Sequence, residues 1–201
     1  MPNLYPALER QEVVIHGPDH VHSVGELTDA TLDLVAEAWQ RRARDVGGIC
    51  FALLNEGHEA GASLPHSHSQ LAWLPALAPA AAGERGLPDV LPVLERGGVA
   101  AGCPVASRVP YEVLIAPARP EPDGLRSELL GPALRLLAEI VRRLQRARGE
   151  ALVPLNAWLH DGPHWHLELF PRTTRLAGLE LGAGVYVNPV APEEAAKALR
   201  D

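Results

Sequence analysis

The 201-residue chain has only two cysteines, Cys50 and Cys103, and a single lysine, Lys197. Without CxxC spacing, two cysteines imply no disulfide framework, and a reducing cytoplasm is the default compartment. The net charge of −7 and the lack of a basic stripe argue against a nucleic-acid backbone as partner. No apolar run approaches membrane-spanning length, so no membrane partner is expected. The opening "MPNLYPALER" lacks the charged head and apolar run of a secretory signal. An anionic ligand would therefore be held by backbone amides, histidines and a few arginines. The chain does have an apolar fraction of 47%, enough for a real core.

The apolar pattern repeats. "EVVIHGP" (12–18) reads as a strand; Leu32, Val35, Ala36, Trp39 and Ala43 recur at helical spacing until Gly47-Gly48; "ICFALLNEG" reads as a strand, followed by a Gly/Ala/Ser loop and "HSHSQLAWLP". In the second half, "YEVLIAP" (111–117) is a strand, Leu130, Leu134, Leu137, Val141 and Leu144 form a helical stripe ended by Gly149, and "LVPLNAWLHDGP" and "HWHLELFPR" follow. Glu12 precedes His68 by 56 positions and Glu112 precedes His166 by 54, and each last strand carries His-x-His. This is an internal duplication, with units 1–98 and 99–201. Residues 76–98 read as an Ala/Gly/Pro-rich connector with at most a short helix. The tail reads as a Gly-rich turn, a short strand and a terminal helix starting at Pro192. Short loops between strands favour antiparallel pairing. The expected fold class is α+β: antiparallel sheet with helices packed on one face, in two related units.

On a strand over 66–74, His66, His68 and Gln70 share one face, and Ser67, Ser69 and Leu71 the other. The preceding Gly57, Gly61, Ala62 and Ser63 form a small-residue loop that lets backbone N–H groups approach an anion. Imidazoles beside such a loop suit phosphoryl chemistry, because a neutral imidazole attacks phosphorus and splits one hard transfer into two. Gln70 can donate to a phosphoryl oxygen as charge builds. An ordinary strand with a polar face, or a metal pair, would look similar. His164, His166 and Glu168 share a second face of this kind, with His160 four residues upstream; this is a ligand face for a metal or simply a half-buried strand. His16, His22 and His58 read as surface or loop histidines without a role, and the two cysteines as small apolar residues.

"NEGHEAGASLPHSHSQ" resembles the active-site signature of the galactose-1-phosphate uridylyltransferase family, within the histidine-triad superfamily. "NLYPAL", "EVVIHGPDH", "RVPYEVLIAP", "HWHLELFPR" and "GLELGAGVYVNPVAPEEAA" also resemble family segments, in order along nearly the whole chain. The resemblance implies two tandem histidine-triad-like units per chain. It implies that His68 is the nucleophile that takes the nucleotidyl group and that Gln70 holds the phosphoryl oxygens. Where hydrolases of the superfamily have a third histidine, this chain has Gln70, which points to transfer. Asn55 and Ser63 would contact phosphates, Asn3 would lie near the nucleoside, and Glu180 would sit in a loop shaping the sugar site. His20 and His66 match zinc ligands; His160, His164 and His166, with Glu84 fourteen residues after Gln70, match a second divalent metal site. The implied reaction moves UMP from a UDP-hexose to hexose 1-phosphate through a nucleotidyl-histidine, in a homodimer.

Family members usually begin earlier, with a CxxC segment that completes the zinc site; two histidines alone do not. The expectation is therefore a gene product whose start lies upstream, or else a shortened homologue. "AGAS…HSHSQ" and "GAGVYVNPVAPEEAAKAL" also resemble the ADP-glucose phosphorylase branch, which transfers AMP with phosphate as acceptor. The remaining alternatives are a histidine-triad hydrolase, which Gln70 opposes, and an inactive nucleotide- or metal-binding homologue.

Overall fold

The computed structural model describes residues 1–77 and 86–201. Its described strands are β1 (Gln11–Ile15), β2 (Ile49–Glu56), β3 (His68–Leu74), β4 (Val90–Arg96), β5 (Val99–Pro104), β6 (Val113–Pro117), β7 (Leu155–His160) and β8 (His166–Pro171). They form an antiparallel eight-stranded sheet in the order β1-β3-β2-β7-β8-β6-β5-β4. Among the described residues the α-helices are α1 (Asp29–Val46), α2 (Leu130–Arg148), α3 (Gly178–Ala183) and α4 (Pro192–Arg200).

The long helices follow from their sequences. Thr28 caps α1 by accepting from the Thr31 N–H, and Gly47, at φ +71°, ends it. Leu32, Val35, Ala36 and Trp39 recur at helical spacing and are buried. In α2 the buried stripe runs from Leu130 to Leu144, and Gly149 terminates it in the left-handed conformation. Both helices bury these stripes, together with Ala52, Leu54, Leu71, Ala157, Leu159, Leu167 and Leu169 of the strands, in one core. Alternation then sends the neighbouring residues, including His68, Gln70, His166 and Glu168, to the sheet's opposite face.

The sheet order shows how the halves relate. β1-β3-β2 mirrors β6-β8-β7, and β2 meets β7 at the centre. There Asn55 lies opposite Asn156, whose side-chain amide donates to the Asn55 carbonyl oxygen at 2.7 Å. His68 and His166 are consequently placed on one continuous face, each at the start of its strand.

Several expectations change. The 76–98 connector contains β4, which forms a hairpin with β5, another strand that the apolar pattern does not reveal. Alanine, glycine and proline mask both strands, and their signal is the pairing itself. The turn at Gly97-Gly98 falls at the division between units, so β4 lies on the second half's side of the sheet. The strand expected after the tail's glycines is absent among the described residues; Val185 and Val187 are exposed, with no strand neighbour to pair. The terminal helix begins at Pro192 as its sequence indicates.

Cys50 and Cys103 are buried, free thiols, and burial pushes both up to about 12. Native protein should therefore leave an aromatic disulfide reagent unreacted at neutral pH. Two thiols should titrate only after unfolding; rapid labelling of the native state would contradict this packing.

Candidate active site

β1 pairs with β3 so that Ile15 faces His68, and the chain continues past Ile15 to place His16 beside Ser67. The His68 imidazole is 3% exposed. Its Nδ1 lies 2.9 Å from the His66 carbonyl oxygen. A carbonyl only accepts, so Nδ1 carries the proton and Nε2 keeps a lone pair. His68 borders a cleft of about 270 Å³, lined also by Asn55, Gly57, His58, Ser63 and His66.

The loop between β2 and β3 is built on glycine. Gly57 adopts φ +82°, ψ 149°, and a Cβ there would lie 3.1 Å from the Pro154 Cα. Ala60 and Ala62 donate their N–H groups to the Gly57 carbonyl and Gly61 to that of His58, so these three amides turn inward. An anion in the cleft would meet Ser63 and Asn55 rather than those amides. The Asn55 oxygen accepts from Asn156, which leaves its NH₂ as the group for the cleft. Gly57→Ala should cost about 1–3 kcal/mol from the backbone conformation alone. It should also raise the KM for a phosphate-bearing substrate more than it lowers kcat; thermal melts and steady-state kinetics check both.

Gln70 lies next to His68 on the same face, and its carbonyl oxygen accepts from the Gln11 amide. Its own NH₂ therefore points away from that bond and can serve an oxyanion. Asn3 borders a separate depression with Trp73 and holds the Tyr5 N–H. Glu180 lies in α3, not a loop, where its carboxylate accepts from the Ala177 N–H and caps the first turn.

His20 and His66 meet, with their Nδ1 atoms 3.2 Å apart, and His22 lies against His20 with ring centroids 4.8 Å apart. In the second half, His160, His166 and Glu168 offer ligand atoms within 4.8 Å of one another. His164 is not in that group. Expected on the strand, it occupies the exposed turn before β8, and its carbonyl oxygen faces His166 Nδ1 at 3.0 Å. Glu84 falls outside the described residues. Burial pushes His160 down to about 4 and lowers His166 as well, so both rings are neutral. Glu168 also pairs with Arg108, which lies over Phe170 and bonds Glu112. Arg108 and Glu112 were not legible as site residues, since an Arg-Glu pair four apart is common on any surface.

His16 corrects the expectation of a roleless surface histidine. It is 2% exposed, and burial, reinforced by His68 and His66, pushes it down to about 3. Its Nδ1 lies 2.9 Å from the Ser67 hydroxyl and its Nε2 3.0 Å from that of Ser69. Trp39 of α1 donates its indole N–H to Ser69 at 2.8 Å. Glu56 is another buried group the sequence did not single out. Its Oε2 accepts from the Val24 N–H, and burial raises it to about 7.

Residues 7–77 match the model of the galactose-1-phosphate uridyl transferase N-terminal domain. The ADP-glucose phosphorylase of Arabidopsis thaliana is 26% identical over 99% of this chain and 72% of its own length. The galactose-1-phosphate uridylyltransferase of Thermotoga maritima is 27% identical over 94% of this chain and 73% of its own. The crystal structure of the Arabidopsis ADP-glucose phosphorylase with bound ADP-glucose superposes with a TM-score of 0.90, at 23% identity, over the whole chain and 80% of that structure.

Proposed function

We propose that this chain, a relative of the galactose-1-phosphate uridylyltransferases and of ADP-glucose phosphorylase, is an enzyme that transfers a nucleotidyl group between a nucleotide sugar and hexose 1-phosphate. The observation that carries this reading is the His68 imidazole, buried at the cleft with its proton held on Nδ1 by the His66 carbonyl.

In the first half-reaction, His68 Nε2 attacks the α-phosphorus of the nucleotide sugar. A P–N bond forms, the P–O bond to the sugar-phosphate breaks, and hexose 1-phosphate leaves with the electron pair. The positive charge that develops on the imidazole is stabilised through Nδ1–H by the His66 carbonyl. Gln70, Ser63 and Asn55 donate to phosphoryl oxygens. In the second half-reaction an oxygen of another hexose 1-phosphate attacks the phosphorus, and His68 leaves neutral. With inorganic phosphate as acceptor the same chemistry becomes ADP-glucose phosphorolysis, a second reading favoured by the match to that enzyme over 99% of the chain. Asn3 would approach the nucleoside from the neighbouring depression, and Glu180 the sugar.

Zinc fits the pair His20 and His66. Tetrahedral Zn–N bonds of about 2.0–2.1 Å bring two ligand nitrogens to about 3.3 Å of each other, close to the 3.2 Å between their Nδ1 atoms. His66 Nε2 faces the Gly17 carbonyl at 3.2 Å, the outer contact that metal-bound imidazoles make. The pair supplies half of a tetrahedral set, and the ion would brace the chain just before His68. A second divalent ion fits His160, His166 and Glu168, with Arg108 competing for the carboxylate. We place the enzyme in the cytoplasm as a homodimer. Among the described residues no helix is long and apolar enough to cross a membrane.

Intact-mass spectrometry after mixing with UDP-glucose, and separately with ADP-glucose, tests the reading. A mass increase of one UMP or AMP, reversed by hexose 1-phosphate or phosphate, is expected and identifies the base. No adduct from either donor would sink it.

A further inference from the structure

We propose that His16 is a positioning residue for the nucleophile: a single buried imidazole that clamps the serines on either side of His68 and so fixes the direction of the His68 ring. The proposal rests on the nucleotidyltransferase reading for its kinetic consequence only.

The geometry is specific. Ser67 and Ser69 flank His68 in the chain, and both hydroxyls meet the His16 ring, with Ser69 also reached by Trp39 of α1. One ring spans them, Nδ1 to Ser67 at 2.9 Å and Nε2 to Ser69 at 3.0 Å. All three residues are buried.

The three groups form one linked set. The Trp39 indole only donates, and it occupies one of the two lone pairs of Ser69 at 2.8 Å. The Ser69 hydroxyl keeps a proton and a second lone pair, so in either ring tautomer His16 bonds both serines, donating to one and accepting from the other. The chain of contacts runs from α1 through Ser69 and His16 to Ser67. The backbone adds to the clamp, as His16 N–H donates to the Ser67 carbonyl at 3.2 Å and Ser67 N–H to the Val21 carbonyl at 2.8 Å.

Fixing the side chains at 67 and 69 fixes the pleat at 68. It also fixes the peptide between His66 and Ser67, whose carbonyl holds His68 Nδ1. Without the clamp, that carbonyl can rotate, the His68 tautomer is no longer imposed, and Nε2 swings from the line of attack. A misplacement of about 1 Å can lower a transfer rate by about a hundredfold.

The test compares wild type with Ser67→Ala, Ser69→Ala and His16→Phe, each melted first to establish that it is folded. If His16→Phe does not fold, the serine variants carry the test. Each protein is mixed with UDP-glucose and with ADP-glucose, and the nucleotidyl-protein is followed by mass over time. The maximal rate of adduct formation should fall about 10- to 100-fold in Ser69→Ala and His16→Phe. The donor concentration at half-maximal rate should shift less than about threefold, since a positioning loss spares ground-state binding. In parallel, long-range ¹H–¹⁵N spectra of histidine-labelled protein report the His68 ring, assigned by its disappearance in His68→Ala. Wild type should show the Nδ1–H tautomer alone, and Ser69→Ala a mixture. An unchanged rate in a folded Ser69→Ala, or a His68 signal identical to wild type, overturns the proposal. If wild type itself forms no adduct, the transfer reading fails, and the His68 signal in Ser69→Ala then decides the clamp by itself.

Discussion

His68→Ala should abolish the nucleotidyl adduct and lower exchange between a nucleotide sugar and labelled hexose 1-phosphate by at least about 10⁴-fold, the scale of losing a covalent nucleophile. Folding should survive, because the lost ring borders a cleft and the core behind β3 is unchanged. The sharper part of this prediction concerns which histidine is labelled. His166 starts β8 as His68 starts β3, and its Nδ1 meets a carbonyl in the same way. Two residues further along, however, the first half has Gln70 and the second has Glu168. A carboxylate accepts and repels a phosphate, whereas an amide donates to it. Peptide mapping of the adduct should therefore find the nucleotide on His68 alone. Label on His166 would mean that the reacting half has been misidentified.

Stability should fall steeply in acid, and the buried groups predict where. His16 is held down to about 3, so the folded protein excludes a proton that the unfolded chain takes up near pH 6.5. Its contribution is complete above pH 6.5 and is lost as pH falls toward 3, at about 1.4 kcal/mol per pH unit. Glu56 works in the opposite direction. Raised to about 7, it takes up its proton earlier in the folded state, so acidification from pH 7 to 4.5 favours folding. Glu56 offsets His16 between pH 6.5 and 4.5, but His160, held down to about 4, and His166, also lowered by burial, add losses there that Glu56 does not offset. Below 4.5 the offset ends. Glu12, held down to about 2 chiefly by its hydrogen bond to Arg42 and then by Arg10, also begins to lose its stabilising charge there. Urea midpoints should thus begin to fall from about pH 6.5 and drop more steeply below 4.5. Glu56→Gln should remove the compensation and steepen the decline between pH 7 and 4.5. A curve with the same slope in wild type and variant would show that Glu56 does not titrate in this range.

Much of this was legible in the sequence because side-chain periodicity is a local property. The stripes Leu32 to Trp39 and Leu130 to Leu144 announce helices, the glycines after them announce their ends, and HSHSQ announces a strand with His68 and Gln70 on one face, although β3 begins at His68 and leaves His66 just before it. The repeated His-x-His, 56 and 54 residues after Glu12 and Glu112, indicates a duplicated unit. What stayed hidden depends on distant pairing. Val90–Arg96 and Val99–Pro104 hold few strand-forming cues and become strands because each finds the other. His164 drops out of the ligand group because β8 begins two residues later, at His166, and Arg108 enters that site from 60 residues away.

The sequence by itself therefore determined the two long helices, the strands that follow them and the placing of His68 and Gln70 on one strand face. Tertiary structure decided which side chains meet. Only the β1–β3 register brings His16 behind Ser67 and Ser69, and only the packing of α1 on the sheet delivers the Trp39 indole to the same hydroxyl. The physical reason is range. Hydrophobic periodicity is written in neighbouring residues. A hydrogen bond between residues 51 or 53 positions apart depends on strand register and on which face of the sheet the helices cover.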